Sequence, residues 1–285
     1  MRRIAVVSPP ASLAPPVLPA RGAATPVARA PRRGQASAFE AIAPEAAGMP
    51  LYRAVKRRLL QAIESGSLAP GSTLPSEREL ATMFGVSIGT LRQAVGELVA
   101  EHILVRRQGR GTFVARHGSE RFLFQFFHVE RADGLREAPE LELLGFERTR
   151  LDEADAEAFG LKPGEPVIAI ENRLRLQGRP VAHDRLLLPA ALYKGMTEAR
   201  FRSRPATIYR LYQDEHGITV VRAHERARAV TADRHVARIL GVAPGIPMLQ
   251  VRRTAVTFGD RPVEYRVSTI HTAQHEYVQT LSRPR

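Results

Sequence analysis

Residues 74–114, LPSERELATMFGVSIGTLRQAVGELVAEHILVRRQGRGTFV, decide how the first half of this chain folds. Ser76 lies three residues before Glu79, the spacing of a capping box. Its hydroxyl can take an orphan backbone N–H while Glu79 reaches back to the N–H of Ser76, an arrangement worth about 1 kcal/mol. Leu80, Ala81 and Phe84 follow at helical spacing. Gly85 then closes the helix, Val86 plugs the corner, and Ser87 or Thr90 starts a second helix. In that helix Leu91, Ala94, Val95 and Leu98 form the buried stripe, with Ser87, Thr90, Arg92 and Gln93 mostly on the other side.

This is the layout of a helix-turn-helix, whose second helix enters a DNA major groove. Leu104–Arg107, Gln108–Gly111 and Thr112–Val114 read as a hairpin wing with a small, cationic tip. Upstream, Pro50–Leu51–Tyr52 opens a helix with Leu51, Val55, Leu59 and Ile63 on one face, ended by Gly66.

Leu51–Tyr52, Leu74–Arg78, the helix after Gly85 and Gly109–Phe113 together resemble the winged helix-turn-helix of GntR-type bacterial regulators. The resemblance implies base or phosphate contacts from Arg78 and Arg92. Thr90 and Gln93 read bases or position the backbone, with Ser87 at the helix start. Arg107 and Arg110 hold phosphates, and Gly109 and Gly111 let the wing approach. A winged helix used only for protein contacts is the rival reading. Arg78, Arg92, Arg106, Arg107 and Arg110 on one edge argue against it. One departure stands out: the family usually starts this helix with Ser-Arg-x-Thr, and here the run is Ser87–Ile88–Gly89–Thr90. An arginine contact is missing, so operator preference is expected to shift.

The chain has 285 residues, enough for two domains, and a formal net charge of +13. The excess is densest before residue 117, which suits a polyanionic partner. Arg-rich usage with only Lys56, Lys162 and Lys194 weakens charge as evidence by itself. There is no cysteine, which excludes disulfides, Cys-based zinc sites and thiol nucleophiles and fits a cytoplasmic bacterial protein. No apolar run approaches a membrane span, so no membrane association is expected.

Residues 1–48 are rich in Pro, Ala and Arg without hydrophobic period, and read as a disordered tail. The tail either adds non-specific DNA affinity or reflects an upstream start codon, with Met49 the natural start. Residues 49–116 form the DNA-binding domain and 117–121 a polar linker. Residues 122–280 form a second domain, opening on the apolar run Phe122–Phe127.

The second domain carries an internal repeat. Gly160–Leu161–Lys162–Pro163–Gly164–Glu165–Pro166 and Gly241–Val242–Ala243–Pro244–Gly245–Ile246–Pro247 share the pattern G-x-x-P-G-x-P. Each follows a short helix, and each precedes a strand, a hairpin turn (Gln177–Pro180 or Gly259–Pro262) and a return strand. One antiparallel sheet with pseudo-twofold symmetry and packed helices follows, with a pocket between the halves. A helix around Thr207–Glu215, stopped by Gly217, and a strand over Ile218–Val230 lie between the copies.

Leu161–Val167, Thr207–Tyr209, Leu240–Val242 and Pro262–Tyr265 resemble the UTRA effector-binding domain of the HutC branch, which has a chorismate-lyase-like fold. The expected fold class is therefore α+β: a winged helix-turn-helix domain followed by a chorismate-lyase-like antiparallel-sheet effector domain. The resemblance carries effector contacts to Arg173, Arg175 and Asp184, with Thr207 and Tyr265 nearby. Two arginines at period two also suit an anion chemically, because a guanidinium is a forked donor. Surface pairing with Glu171 and Asp184 is the plainer alternative.

His271 and His275 are four apart but read as strand-adjacent with no third ligand, so no metal and no cofactor is expected. Asp152, Glu153, Asp155 and Glu157 read as a solvated acidic helix start. No nucleophile–His–acid set stands out, so an enzyme with a chorismate-lyase-like pocket is the weaker hypothesis. The expected function is a ligand-responsive transcriptional repressor. It would bind double-stranded DNA at a near-palindromic operator as a homodimer and be controlled by a small anionic metabolite.

Overall fold

The computed structural model describes residues 49–117, 126–204 and 207–279. The tail at 1–48, the linker from 118 onward and the apolar run at 122–125 lie outside the described residues.

The first domain comprises α1 (Leu51–Glu64), α2 (Glu77–Phe84), α3 (Ile88–Ala100), β1 (Leu104–Arg107) and β2 (Gly111–Val114). Ser76 and Glu79 form the full capping box, and Gly85 closes α2 in the left-handed conformation at φ 65°. Val55, Leu59, Leu80, Phe84, Leu91 and Leu98 are buried in one cluster. Each such side chain contributes roughly 1.5–3 kcal/mol of burial. Leu51, expected on the buried face of α1, is 48% exposed, and the stripe instead runs through Ala54, Val55, Leu59, Ala62 and Ile63. β1 and β2 pair with Leu104 opposite Val114, and Thr73 bridges to Phe113 so that the wing is tied to the turn before α2.

The second domain contains β3 (Val129–Arg131), β4 (Glu140–Arg150), α4 (Glu153–Phe159), β5 (Pro166–Leu176), β6 (Arg179–Pro189), α5 (Glu198–Arg202) and α6 (Ile208–His216). These are followed by β7 (Arg222–Thr231), α7 (Arg234–Leu240), β8 (Pro247–Val256), β9 (Pro262–Ile270) and β10 (His275–Tyr277). Six strands form an antiparallel sheet in the order β4-β5-β6-β9-β8-β7, and β3 pairs with β10 separately.

The repeat is larger than its sequence pattern. It is strand, helix, strand, strand: β4-α4-β5-β6 and β7-α7-β8-β9, joined where β6 meets β9. The pattern G-x-x-P-G-x-P occupies the turn after each helix, with Gly160 and Gly241 as left-handed helix caps. One sheet face is covered by α4 and α7, which cross to the opposite half: α4 lies against β9 and α7 against β6. The other face carries the main core with Phe126, Val129, Phe201 and the α6 residues Ile208, Tyr209 and Tyr212.

His117, expected to open the linker, is 1% exposed. Its ring packs 5.6 Å from Tyr209 and 5.8 Å from Phe126, and its backbone N–H donates to Gln213 Oε1. A histidine at the end of the wing is thus part of the second domain's core. The strand expected over Ile218–Val230 begins only at Arg222 and runs to Thr231, with Ile218 and Val220 buried on the approach to it.

Candidate DNA interface and effector pocket

The N-terminus of α3 is bare. Ser87 caps it, its Oγ accepting from the Thr90 N–H at 3.1 Å and lying 2.9 Å from Thr90 Oγ1. Gly89 has no side chain and Ile88 is 41% exposed, so backbone and short hydroxyls lead into the solvent. Arg92 and Gln93 follow on the exposed side of α3, and Arg78 is exposed on α2. Arg92 Nε donates to Glu77 Oε2 at 2.7 Å, and Arg106 Nη2 donates to Glu77 Oε1 at 3.3 Å. One carboxylate therefore joins α2, α3 and the wing's first strand. At the wing, Arg107 lies over the Phe113 ring at 4.9 Å, and its carbonyl accepts from the Arg110 N–H. Gly111 at φ 100° turns the chain where a side chain would be strained. All nine residues expected at DNA thus fall on the exposed side of the first domain, around α3 and the wing.

The five expected effector residues do not converge. Arg173 and Arg175 both donate to Glu142 of the neighbouring β4, Arg173 at 2.6 Å, and Arg173 also reaches the Ile239 carbonyl. They face α7. Asp184 pairs in register with Asn172, not with either arginine, so it points through the sheet to the opposite face. Tyr265 is on the Arg173 side, packed 5.9 Å from Phe159 of α4. Thr207 is the cap of α6, its Oγ1 accepting from the Arg210 N–H.

What Asp184 meets is a buried charge network that sequence reasoning missed. Arg266 donates to Asp184 Oδ2 at 3.2 Å and to both oxygens of Glu264. Glu264 also accepts from the Tyr209 and Tyr212 hydroxyls of α6, at 3.2 and 2.6 Å. Beside this, Arg253 donates to Glu225 and to the Phe126 carbonyl, and the Tyr277 hydroxyl donates to Glu225. Burial raises the Tyr209 pKa to about 12, and the Glu264 charge adds to the rise. Burial opposes the Arg253 charge, yet Tyr209 and Glu225 outweigh it and hold the guanidinium above its ordinary range. A signal lay in the sequence for part of it: Arg253, Glu264 and Arg266 are charged residues among the apolar positions of β8 and β9, whereas Glu225 sits in the highly charged β7.

Asp184, Arg253 and Arg266 of this network line a small cavity of about 30 Å³, with Phe126–Val129, Leu174, Ser268 and Tyr277 around it. Helix α6 connects it to the first domain. Its Tyr209 and Tyr212 hold Glu264, its Gln213 holds the His117 N–H, and Asp214 receives Arg116 at 3.4 Å. A larger cleft of about 860 Å³ separates the two domains, lined by Lys56, Leu60 and Glu101 on one side and His128, Val221 and Phe258 on the other.

His271 and His275 do not share a helix: the chain leaves β9 at His271 and enters β10 at His275. A different set, Glu171, His183 and His235, places its donor atoms within 4.8 Å of one another on the face covered by α7. No helix among the described residues is long and apolar enough to cross a membrane.

Two family descriptions match consecutive parts of the chain: bacterial regulatory proteins of the gntR family over residues 51–114 and the UTRA domain over 135–276. The HTH-type transcriptional repressor NagR of Bacillus subtilis is 30% identical, over 82% of this chain and 96% of that protein. The histidine utilization repressor of Klebsiella aerogenes is 31% identical over 63% of this chain and 77% of its own length. Among solved structures, the ligand-binding domain of a GntR-family transcriptional regulator from Bordetella bronchiseptica superposes with a TM-score of 0.53 at 34% identity. That match covers 56% of this chain and 99% of the other. The exposed α3 and wing, the buried network behind a small cavity and these relatives agree: the chain belongs to the GntR family of transcriptional regulators, a DNA-binding protein of the HutC type with a UTRA effector domain and not an enzyme.

Proposed function

We propose that this regulator is a repressor that binds a near-palindromic operator as a homodimer, and that a small metabolite with an anionic group releases it. On DNA, α3 enters the major groove with Thr90, Arg92 and Gln93 at the base edges, while Arg107 and Arg110 hold phosphates beside the wing. Arg92 leaves Glu77 to do so. That exposed ion pair is worth at most about 1 kcal/mol, so the exchange costs little.

The effector's site is the cavity floored by Asp184, Arg253 and Arg266. The observation that carries this reading is the Arg253 guanidinium, which spends a donor on the neutral carbonyl of Phe126. A carboxylate or phosphate is a stronger partner for that donor than a carbonyl. Its arrival displaces the Phe126–Val129 segment and enlarges the cavity. Asp184 lines the cavity beside the two guanidiniums, so the rest of the ligand supplies donors, hydroxyl or amine, to Asp184 and Ser268. That composition favours hydroxy acids, amino acids and sugar phosphates over simple dianions.

Displacing Phe126 disturbs its 4.8 Å edge contact with Tyr209 and the His117 packing beside it, which moves the exit of the wing. A coupling of about 1–3 kcal/mol between the sites is the usual scale. The test is operator release, followed by fluorescence polarisation, against a panel of small hydroxy acids, amino acids and sugar phosphates. Asp184→Asn should bind the operator as the parent does and lose the response to the active compound. An undiminished response in that variant would place the effector elsewhere.

A further inference from the structure

The face of the sheet under α7 holds a group of side chains that neither DNA binding nor the proposed effector cavity uses. Glu171 Oε1 on β5 lies 2.7 Å from His183 Nε2 on β6 and 2.5 Å from His235 Nε2 on α7. The fold dictates this meeting. Glu171 pairs with Arg185 and Arg173 with His183, so Glu171 and His183 are diagonal neighbours on one face. Asp233 caps α7 by accepting from the Val236 N–H, and α7 lies over β6, which brings His235 down on the pair.

We propose that Glu171, His183 and His235 form a binding site for a divalent transition-metal ion of the zinc, cobalt or nickel type. Two imidazoles and a carboxylate suit these ions in donor type and number, with a fourth position left for water or a small anion. The site is closed below and open above: His183 is 7% exposed, whereas the His235 side chain is 49% exposed. Tetrahedral bonds of about 2.0–2.2 Å put donors about 3.3–3.6 Å apart, so each histidine nitrogen moves about 1 Å from Glu171 Oε1, and the donor atoms, all within 4.8 Å of one another, are already on the scale of one ion. The nearby cations are already committed. Arg173 is paired with Glu142, and Arg185 with Asp155 at 2.7 Å. Arg238 is the exception, its Nη2 lying 3.3 Å from His235 Nδ1. Metal at Nε2 leaves the proton on Nδ1, so Arg238 turns away, and as an exposed side chain it is free to do so.

The bound ion would pin α7 to β5 and β6, across the join between the two repeats.

The experiment uses the untagged full chain after chelator treatment. Cobalt(II) chloride is titrated at pH 7.5 while the visible absorption of four-coordinate Co(II) is followed, and zinc sulfate is then titrated calorimetrically. One ion per chain, with the cobalt absorption removed by zinc, is the expected result. His235→Ala and Glu171→Gln should each weaken zinc at least about 100-fold, a larger loss than outer partners of a metal site cause. Both variants should keep the parent's far-ultraviolet circular dichroism. No stoichiometric uptake by the parent, or uptake retained by either variant, would overturn the proposal.

Discussion

Glu77 on α2 accepts from Arg92 on α3 at 2.7 Å, and so restrains an arginine of the recognition helix from the helix that precedes it. The same carboxylate holds Arg106 of the wing strand. In the free protein it neutralises part of the surface proposed to meet DNA. Glu77→Ala is therefore expected to raise affinity for any duplex and to steepen the fall of binding with salt, because a carboxylate is lost from this surface and Arg106 becomes available to phosphates. Polarisation titrations of an unrelated duplex between 50 and 200 mM salt measure this. An unchanged salt slope would show that Arg106 is not a spare phosphate binder.

Arg110 lies at the tip of the wing, between Gly109 and Gly111, and is exposed. Arg110→Ala should weaken binding to all sequences alike and reduce the magnitude of the salt slope by about 0.9, one phosphate contact. Loss of affinity confined to the operator would assign it to base recognition instead.

Glu264 is fully buried and serves three partners, Arg266, Tyr209 and Tyr212. Removing it leaves the Arg266 guanidinium buried with Asp184 as its remaining partner. Glu264→Ala should destabilise by about 3–5 kcal/mol, the usual cost of breaking a buried pair on one side. Chemical denaturation reads this directly, and a loss under 1 kcal/mol would contradict the role given to the network.

Acid should unfold the second domain in two stages. His128 is held below the ordinary histidine range by burial, so below about pH 6.5 the unfolded chain binds the extra proton and stability falls. Glu225 feels burial, which raises its pKa, but Arg253 and the Tyr277 hydroxyl outweigh it and the folded value lies below the ordinary one. Its contribution is present above the unfolded carboxylate pKa near 4.3 and is lost as pH falls through the folded value. Melting temperature should decline gently from pH 6.5 and more steeply below pH 4.5. Glu225→Gln should start lower and lose the steep part. A steep part kept in that variant would move the effect to other carboxylates.

The first domain was legible because its signals are local. Ser76 and Glu79 cap each other across three residues, and Gly85 needs only its own conformation to stop α2. The repeat after Gly160 and Gly241 was legible for the same reason. The site in the second domain was not. Whether Asp184 joins Arg173 or turns away from it depends on the pairing of β5 with β6, and a shift of one residue flips every side chain. No pattern of spacing fixes that register. β4 went unread because its alternation breaks at a bulge between Leu143 and Gly145. Glu171, His183 and His235 lie on three elements and meet only because α7 crosses to the other half of the sheet.

Specific operator recognition is the centre of this account, and capture of genomic fragments by the purified full chain, with sequencing of what is retained, tests it most directly. The chain's own upstream region serves as a spiked probe, and Arg92→Ala and Gln93→Ala are run beside the parent. A few near-palindromic sites are expected, retained by the parent and lost or altered in sequence with the two variants. Uniform, salt-sensitive capture without a preferred sequence, unchanged by Arg92→Ala and Gln93→Ala, would contradict it.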